Sequence, residues 1–176
     1  MIDHIVRAKP TEIIYAQLSQ GADLYQSLLE LIRKENIRTG LVIDITGGLS
    51  KVRLSLPVQT TSVEATPGII ELSGTAEASG HGIIGQTLET YESPSSGITN
   101  NKGEPYVHVH VTIQQAGKTL CGHLIDGCII RSIHKKSHFT IALMRTEGAL
   151  INFRVSKDTT SAYPKGIPYH QLIQEG

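Results

Sequence analysis

Apolar residues recur along this chain at two periods. In "GADLYQSLLELIRKENIRTG" (residues 21–40), Leu24, Leu28, Leu31 and Ile32 fall at helical spacing and form one stripe, which predicts an amphipathic helix packed on a sheet. Asp23 at its start, with Arg33 and Lys34 near its end, complements the helix dipole, and Gly40 reads as its stop. Elsewhere the period is two. "EIIYAQL" (12–18) predicts a strand ahead of the helix. "TGLVIDIT" and "SKVRLSLPV" flank Gly47, Gly48 and Leu49, which suggests a glycine-supported hairpin with Val52, Leu54 and Leu56 on one side. "GIIELSG" (68–74) reads as a short strand bounded by glycines, and "HFTIALMR" and "ALINFRV" as further strands. Residues 79–85, "SGHGIIG", and 91–104, "YESPSSGITNNKGE", are rich in Gly, Ser, Pro and Asn and read as irregular. The second is long for a loop, a class that tends to be functional or mobile.

Strands outnumber helices, and hairpin spacing dominates over βαβ spacing. The expected fold class is therefore α+β, a mostly antiparallel sheet with one main helix packed on one face. The 176 residues suit a single domain over 1–155, followed by a tail, 156–176, that packs on the body or on a neighbouring subunit.

Charge and cysteine content narrow the function. Lys plus Arg equals Asp plus Glu at 16 each, which argues against a broad phosphate-binding face and hence against nucleic acid. Arg131, His134, Lys135, Lys136 and His138 form one basic cluster, read as a solvated turn or strand end. Cys121 and Cys128 lie in one apolar segment. Read as a single strand, it holds them too far apart for a mutual disulfide, so buried free thiols in a reducing compartment are expected. "MIDHIVRAKP" has no apolar leader pattern and no run reaches membrane-spanning length, so a soluble cytoplasmic protein is expected.

The candidate chemistry lies in "YVHVHVTIQQAGKTLCGHL" (106–124). On a strand, His108 and His110 share a face about 6.5–7 Å apart, while Val107, Val109 and Val111 point to the core. A turn centred between Ala116 and Gly117 pairs Gln114 with Thr119, Thr112 with Cys121, and His110 with His123. Directly opposed residues share a face at about 4.5–5.5 Å between Cβ atoms, so three imidazoles would cluster. An odd-length loop or a bulge would shift His123 by one position. Three neutral imidazoles on two strands match a three-histidine metal site with an open fourth position. Zinc is the leading candidate, and nickel, copper and iron also suit imidazole. The plain alternative is a half-exposed sheet face whose histidines make hydrogen bonds or a subunit contact. His81, in "GHG", is either a further ligand or a solvated loop residue. A metal there would acidify a bound water, and Glu71 and Glu104 are the candidate general bases, set against ordinary strand and loop carboxylates. Cys121 shares the histidine face in this register and is read as a half-buried structural thiol, set against a nucleophile near His123. No nucleophile elbow, phosphate loop, dinucleotide fingerprint or C-x-x-C pair is present, so no organic cofactor is indicated.

The same segment resembles the signature of the plants-and-prokaryotes conserved (PPC) domain. That signature is an H-x-H strand, a short glycine turn, a Gly-Gly-His-Leu strand and a Gly followed by apolar residues, here "HVHVTIQQAGKTLCGHLIDGCII". Upstream, "LSQGADLYQSLLELIRKENIRTGLVIDITGGLSKVRLSL" resembles the family's helix and glycine-marked hairpin, and "GIIELSGTAE" its glutamate-bearing strand. The resemblance covers about residues 12–145. It implies an antiparallel α+β fold, a homotrimer, and the prokaryotic stand-alone type. Plant members bind AT-rich DNA through a separate AT-hook built on Arg-Gly-Arg-Pro, which is absent here, so DNA binding does not carry over. The motif positions matching His108, His110 and His123 are where a metal is suspected in prokaryotic members. Cys121 departs from the pattern by replacing the first glycine of Gly-Gly-His, and "HKKSHFTIAL" replaces an acidic start to the next strand.

Three functions are therefore carried forward. The first is a trimeric binding or assembly module for a small-molecule or protein ligand, with a three-histidine metal site. The second is a zinc-dependent hydrolase or lyase using the same histidines, which leaves open whether the protein is an enzyme. DNA binding, by family analogy only, comes third.

Overall fold

The structure, a computed structural model, describes residues 1–60, 65–94, 97–134 and 136–176. In chain order the elements are β1 (Lys9–Gln17), α1 (Leu24–Lys34), β2 (Gly40–Thr60), β3 (Ala65–Thr87), β4 (Tyr91–Glu92), β5 (Thr99–Asn100), β6 (Pro105–Gln115), β7 (Lys118–Leu124), β8 (Ile129–Ile130), β9 (Thr140–Glu147), β10 (Ala149–Val155) and β11 (Pro168–Gln174). The main sheet runs β1-β9-β2-β7-β6-β3-β10-β11, with β8 on β2, and β4 and β5 form a small sheet of their own. Because β2 and β3 also pair directly, the path β2-β7-β6-β3 closes on itself. Pairing is antiparallel except where Asn152 and Phe153 of β10 meet Gln86 and Thr87 of β3. This is the expected α+β architecture.

The helix begins where Asp23 caps it: its carboxylate accepts the Gln26 N–H at 3.0 Å, satisfying one of the free donors of the first turn. Leu24, Leu28 and Ile32 are fully buried. Tyr25 and Leu29 are buried beside them, whereas Leu31 is only partly covered, so the stripe leans to the Tyr25 side. Asn36, not Gly40, ends the helix. Its φ of +50° is left-handed, its N–H reaches the Arg33 carbonyl at 3.1 Å, and the Ile37 N–H reaches the Ile32 carbonyl at 3.0 Å. That is a Schellman ending, sealed by two buried isoleucines. Gly40 instead opens β2. The helical stripe meets Val42, Ile45, Leu49, Val109, Val111 and Ile141 in one core.

Several expectations for the sheet need correction. Gly47 and Gly48 do not form a hairpin, because β2 runs through them for 21 residues. Gly47, at φ +151°, is required because Phe139 lies against it, and a Cβ there would collide with that ring. "GIIELSG" is not a short strand, since Gly68 and Gly74 both lie inside β3. Gly74 takes φ +99° at a register shift opposite β2. Residues 79–85 are not irregular either; they are the last part of β3, paired with β6. A glycine-rich stretch reads as a loop by composition, but here Gly80 and Gly82 admit the carbonyls of His110 and His108 where a Cβ would overlap them. Residues 91–104 hold the β4–β5 pair, with Ser95 and Ser96 outside the described residues. Cys121 and Cys128 do not share a strand, because β7 ends at Leu124. Both are free thiols, but only Cys128 is buried as expected; Cys121 is exposed, because it stands on the polar face of β7. Burial pushes the Cys128 thiol up to about 11. Of the basic cluster, Lys135 lies outside the described residues and the others sit on a segment between β8 and β9.

Beyond residue 155 the chain returns as β11, which pairs with β10 from Ala149↔Gln174 to Val155↔Pro168. No helix among the described residues is long and apolar enough to cross a membrane.

Candidate metal centre

The site is built by the β6–β7 hairpin. Ala116 (φ +48°) and Gly117 (φ +79°) form its two-residue turn, both left-handed, the geometry that matches the twist of the flanking strands. The register that follows sets Gln114 opposite Thr119, Thr112 opposite Cys121 and His110 opposite His123. Val109, Val111 and Ile113 are buried on one face, and His108, His110 and His123 stand on the other. Ring centroids are 5.2 Å apart for His108 and His110, 4.8 Å for His108 and His123, and 4.6 Å for His110 and His123. One nitrogen from each of the three rings lies within 4.8 Å of the others. The Nε2 atoms of His108 and His110 are 3.2 Å apart.

Small residues behind the rings allow this crowding. Gly122, which precedes His123, faces the Ser55 carbonyl of β2, and a Cβ would sit 2.9 Å from that oxygen. Gly80 and Gly82 bring β3 close on the opposite side of β6.

Packing also tunes the rings. Burial and the neighbouring imidazoles His123, His170 and His110 pull the His108 pKa down to about 4. His123 is lowered by burial and by His110, and His170 by burial. His108 and His123, crowded and half-buried, therefore stay neutral near pH 7, because a positive charge on either is penalised. A neutral ring keeps the lone pair that a metal needs.

His170 escaped the sequence reading. It lies on β11, opposite Phe153 of β10, and its Nε2 is 3.3 Å from His108 Nδ1 and 3.1 Å from the Tyr106 hydroxyl. A hydrogen bond of this kind to the second ring nitrogen fixes the tautomer and orientation of a metal-binding histidine. The only local signal was the apolar–polar alternation of "PYHQLIQ", which names a strand but not its neighbour.

The other candidates are placed as follows. His81 is a strand residue, not a loop one, and stands exposed directly opposite His110, outside the three-ring group. Glu71 is exposed and pairs with Arg53 at 3.2 Å and Lys51 at 3.7 Å. Glu104 pairs with Arg33 at 2.7 Å. Neither carboxylate lines the cavity that opens beside the histidines. Cys121 points to solvent two residues before His123.

That cavity encloses about 410 Å³. His108, His123 and His170 are in its wall, with a run of aromatic side chains continuing from them. The donor set fits a divalent transition metal on its own chemistry: three imidazole nitrogens lie close together, and two of the rings, His108 and His123, line the cavity.

Structural relatives support the fold assignment. A metal-containing protein from Archaeoglobus fulgidus superposes with a TM-score of 0.66 at 14% identity, covering 93% of this chain and 97% of its own. A plant- and prokaryote-conserved protein from Pyrococcus horikoshii gives 0.63 at 19% identity, over 89% and 92%. A protein from Bacteroides thetaiotaomicron, provisionally named as DNA-binding, gives 0.57 at 11% identity, over 92% and 96%. At these identities the likeness establishes the fold alone. No curated protein matches the chain. The family model for the Plants and Prokaryotes Conserved (PCC) domain matches residues 6–135, most of the chain, and the chain belongs to that family.

Proposed function

We propose that this PCC-domain protein is a binding module in which His108, His110 and His123 hold a divalent transition metal, zinc first, at the wall of a ligand cavity. The observation that carries the reading is the approach of three imidazole nitrogens to within 4.8 Å of one another beside that cavity. The metal-containing relative from Archaeoglobus fulgidus agrees with it. When bound, such an ion supplies a Lewis-acidic anchor for an oxygen or nitrogen of a ligand. The chain supplies three imidazole rings, and His170 orients His108. We further propose a homotrimer of this one-domain chain, with the 156–176 tail as part of the same body, acting in a reducing compartment such as the cytoplasm, where both free thiols would persist.

The hydrolase or lyase reading has less support, because Glu71 and Glu104 are held in ion pairs away from the cavity. DNA binding has none from charge, since the formal net charge is zero. Zinc uptake by tag-free protein, measured by equilibrium dialysis with elemental analysis, tests the proposal. About one equivalent per chain is expected, lost in His110→Ala. Uptake that is unchanged in the variant would refute the assignment of these ligands. Light scattering at micromolar concentration tests the trimer, and a monomer mass would overturn it.

A further inference from the structure

Beyond the histidines, a run of aromatic rings forms one wall of the cavity, among aliphatic and small polar residues. Tyr91 packs on Phe153 at 6.0 Å between centroids, and Phe153 on Tyr106 at 4.8 Å. Tyr106 then packs on His170 at 5.6 Å, and His170 on His108 at 5.2 Å. The rings form a continuous wall from Tyr91 to the three-histidine group. The chain has six tyrosines, and five of them, Tyr25, Tyr91, Tyr106, Tyr163 and Tyr169, line this one cavity. They come from α1, β4, β6, the segment before β11, and β11 itself, so only the closed fold assembles them.

The lining also says what the cavity would exclude. Among the described residues no Lys, Arg, Asp or Glu lines it. A phosphate ester or a polyanion would find no cationic partner in the body of the cavity, and a cationic ligand would find no carboxylate. A planar apolar ring finds offset and edge-on partners along the wall, each worth about 0.5–1.5 kcal/mol beyond buried area. The volume, about 410 Å³, is in the range of small-molecule sites. Full charge compensation for a single negative charge is found at the histidine end, where a divalent ion on three imidazole ligands keeps its positive charge; elsewhere the lining offers only neutral donors such as Ser55, Asn100 and the tyrosine hydroxyls.

We propose that this cavity binds a small aromatic carboxylic acid, its ring among the tyrosines and its carboxylate directed to the metal on His108, His110 and His123. The proposal rests on the metal reading above. It adds the class of ligand and gives the tail a role, since Tyr163, Tyr169 and His170 all lie beyond residue 155.

The test uses the full chain without a tag. Zinc uptake is measured first, before any acid is added; its absence sinks the metal reading and, with it, the carboxylate contact proposed here. On zinc-loaded protein, calorimetry compares 2-naphthoate with acetate, which lacks the ring, and with 2-naphthylmethanol, which lacks the carboxylate. Naphthoate is expected to bind at least about tenfold more tightly than either. In protein carrying ¹³C-labelled tyrosine rings, naphthoate is expected to shift the five cavity tyrosines and to leave Tyr15, which is exposed on β1, in place. Tyr163→Ala and Tyr169→Ala, at positions outside the buried core, are each expected to weaken naphthoate by about twofold to tenfold while zinc uptake is unchanged. Zinc uptake with equal affinity for acetate and naphthoate would overturn this proposal alone. So would an absence of any naphthoate binding, the result expected if a second copy of the chain covers the cavity.

Discussion

The two faces of the β6–β7 hairpin differ by a single residue of strand alternation, yet they obey different physics. On one face Val109, Val111 and Ile113 are 2%, 0% and 1% exposed and pack against the helix stripe. On the other, His108 and His123 are half-buried and line a cavity, and His110 stands exposed beside them. The valine face gains free energy by excluding water from apolar area, roughly in proportion to the area removed. The histidine face costs free energy: it crowds ionisable rings and holds them partly out of water. Folding is driven by the first, and the second is a local expense that a bound ligand or metal would offset. One strand therefore stabilises the fold with its odd-numbered residues and offers chemistry with its even-numbered ones.

The sharpest way to break this contrast is at the core face. Ile113→Ala is expected to lower unfolding free energy by about 2–5 kcal/mol in urea, because the cavity left at a fully buried site cannot close. A loss below about 1 kcal/mol would mean the hairpin's apolar face is not part of the main core. Next in size is Gly82→Ala, which pushes a Cβ into the His108 carbonyl and Val109. It is expected to cost about 1–3 kcal/mol and to weaken zinc uptake as well, since the strand carrying His108 must move. Full stability with normal zinc uptake would show that the close approach of β3 to β6 is not required.

Acid comes third. The folded-state pKa of His108 is about 4, below the ordinary histidine value of 6.5, so the unfolded chain takes up the proton first. The stability that depends on a neutral His108 is complete above pH 6.5 and is lost as pH falls from 6.5 towards about 4, with His123 and His170 shifted in the same direction. Metal-free protein melted across this window should lose stability progressively. A flat profile that persists in a His108→Gln variant would argue that the rings are not crowded as described. The smallest effect is predicted for His110→Ala without metal: within about 0.5 kcal/mol of the parent, because the ring is exposed and carries little of the core. Loss of zinc uptake with unchanged stability would separate the two faces cleanly; collapse of the fold would join them.

Much of this was legible locally. Strand alternation and an Ala116–Gly117 turn are short-range features, and together they fix which histidine faces which, so the His110↔His123 pair could be read from nineteen residues. The misreadings share a cause as well. Gly47, Gly80 and Gly82 carry a loop signal by composition, but each is a glycine because another segment, Phe139 or the backbone of β6, presses on it. Asn36 took the role expected of Gly40 because a helix ends where its last carbonyls find partners, and Asn tolerates the left-handed turn that provides them.

By itself, then, the sequence determined the α+β class, the helix with its buried stripe, and the three-imidazole face, all consequences of periodicity and of one turn. The tertiary structure alone decided the rest. It carried β11 back onto β10 so that His170 reaches His108 and Tyr106, drew Glu71 and Glu104 into ion pairs elsewhere, and gathered five tyrosines from distant segments around one cavity. The contacts of His170 with His108 and Tyr106, and of Glu104 with Arg33, join residues more than sixty positions apart, which no local period encodes and which only the closure of the sheet brings together.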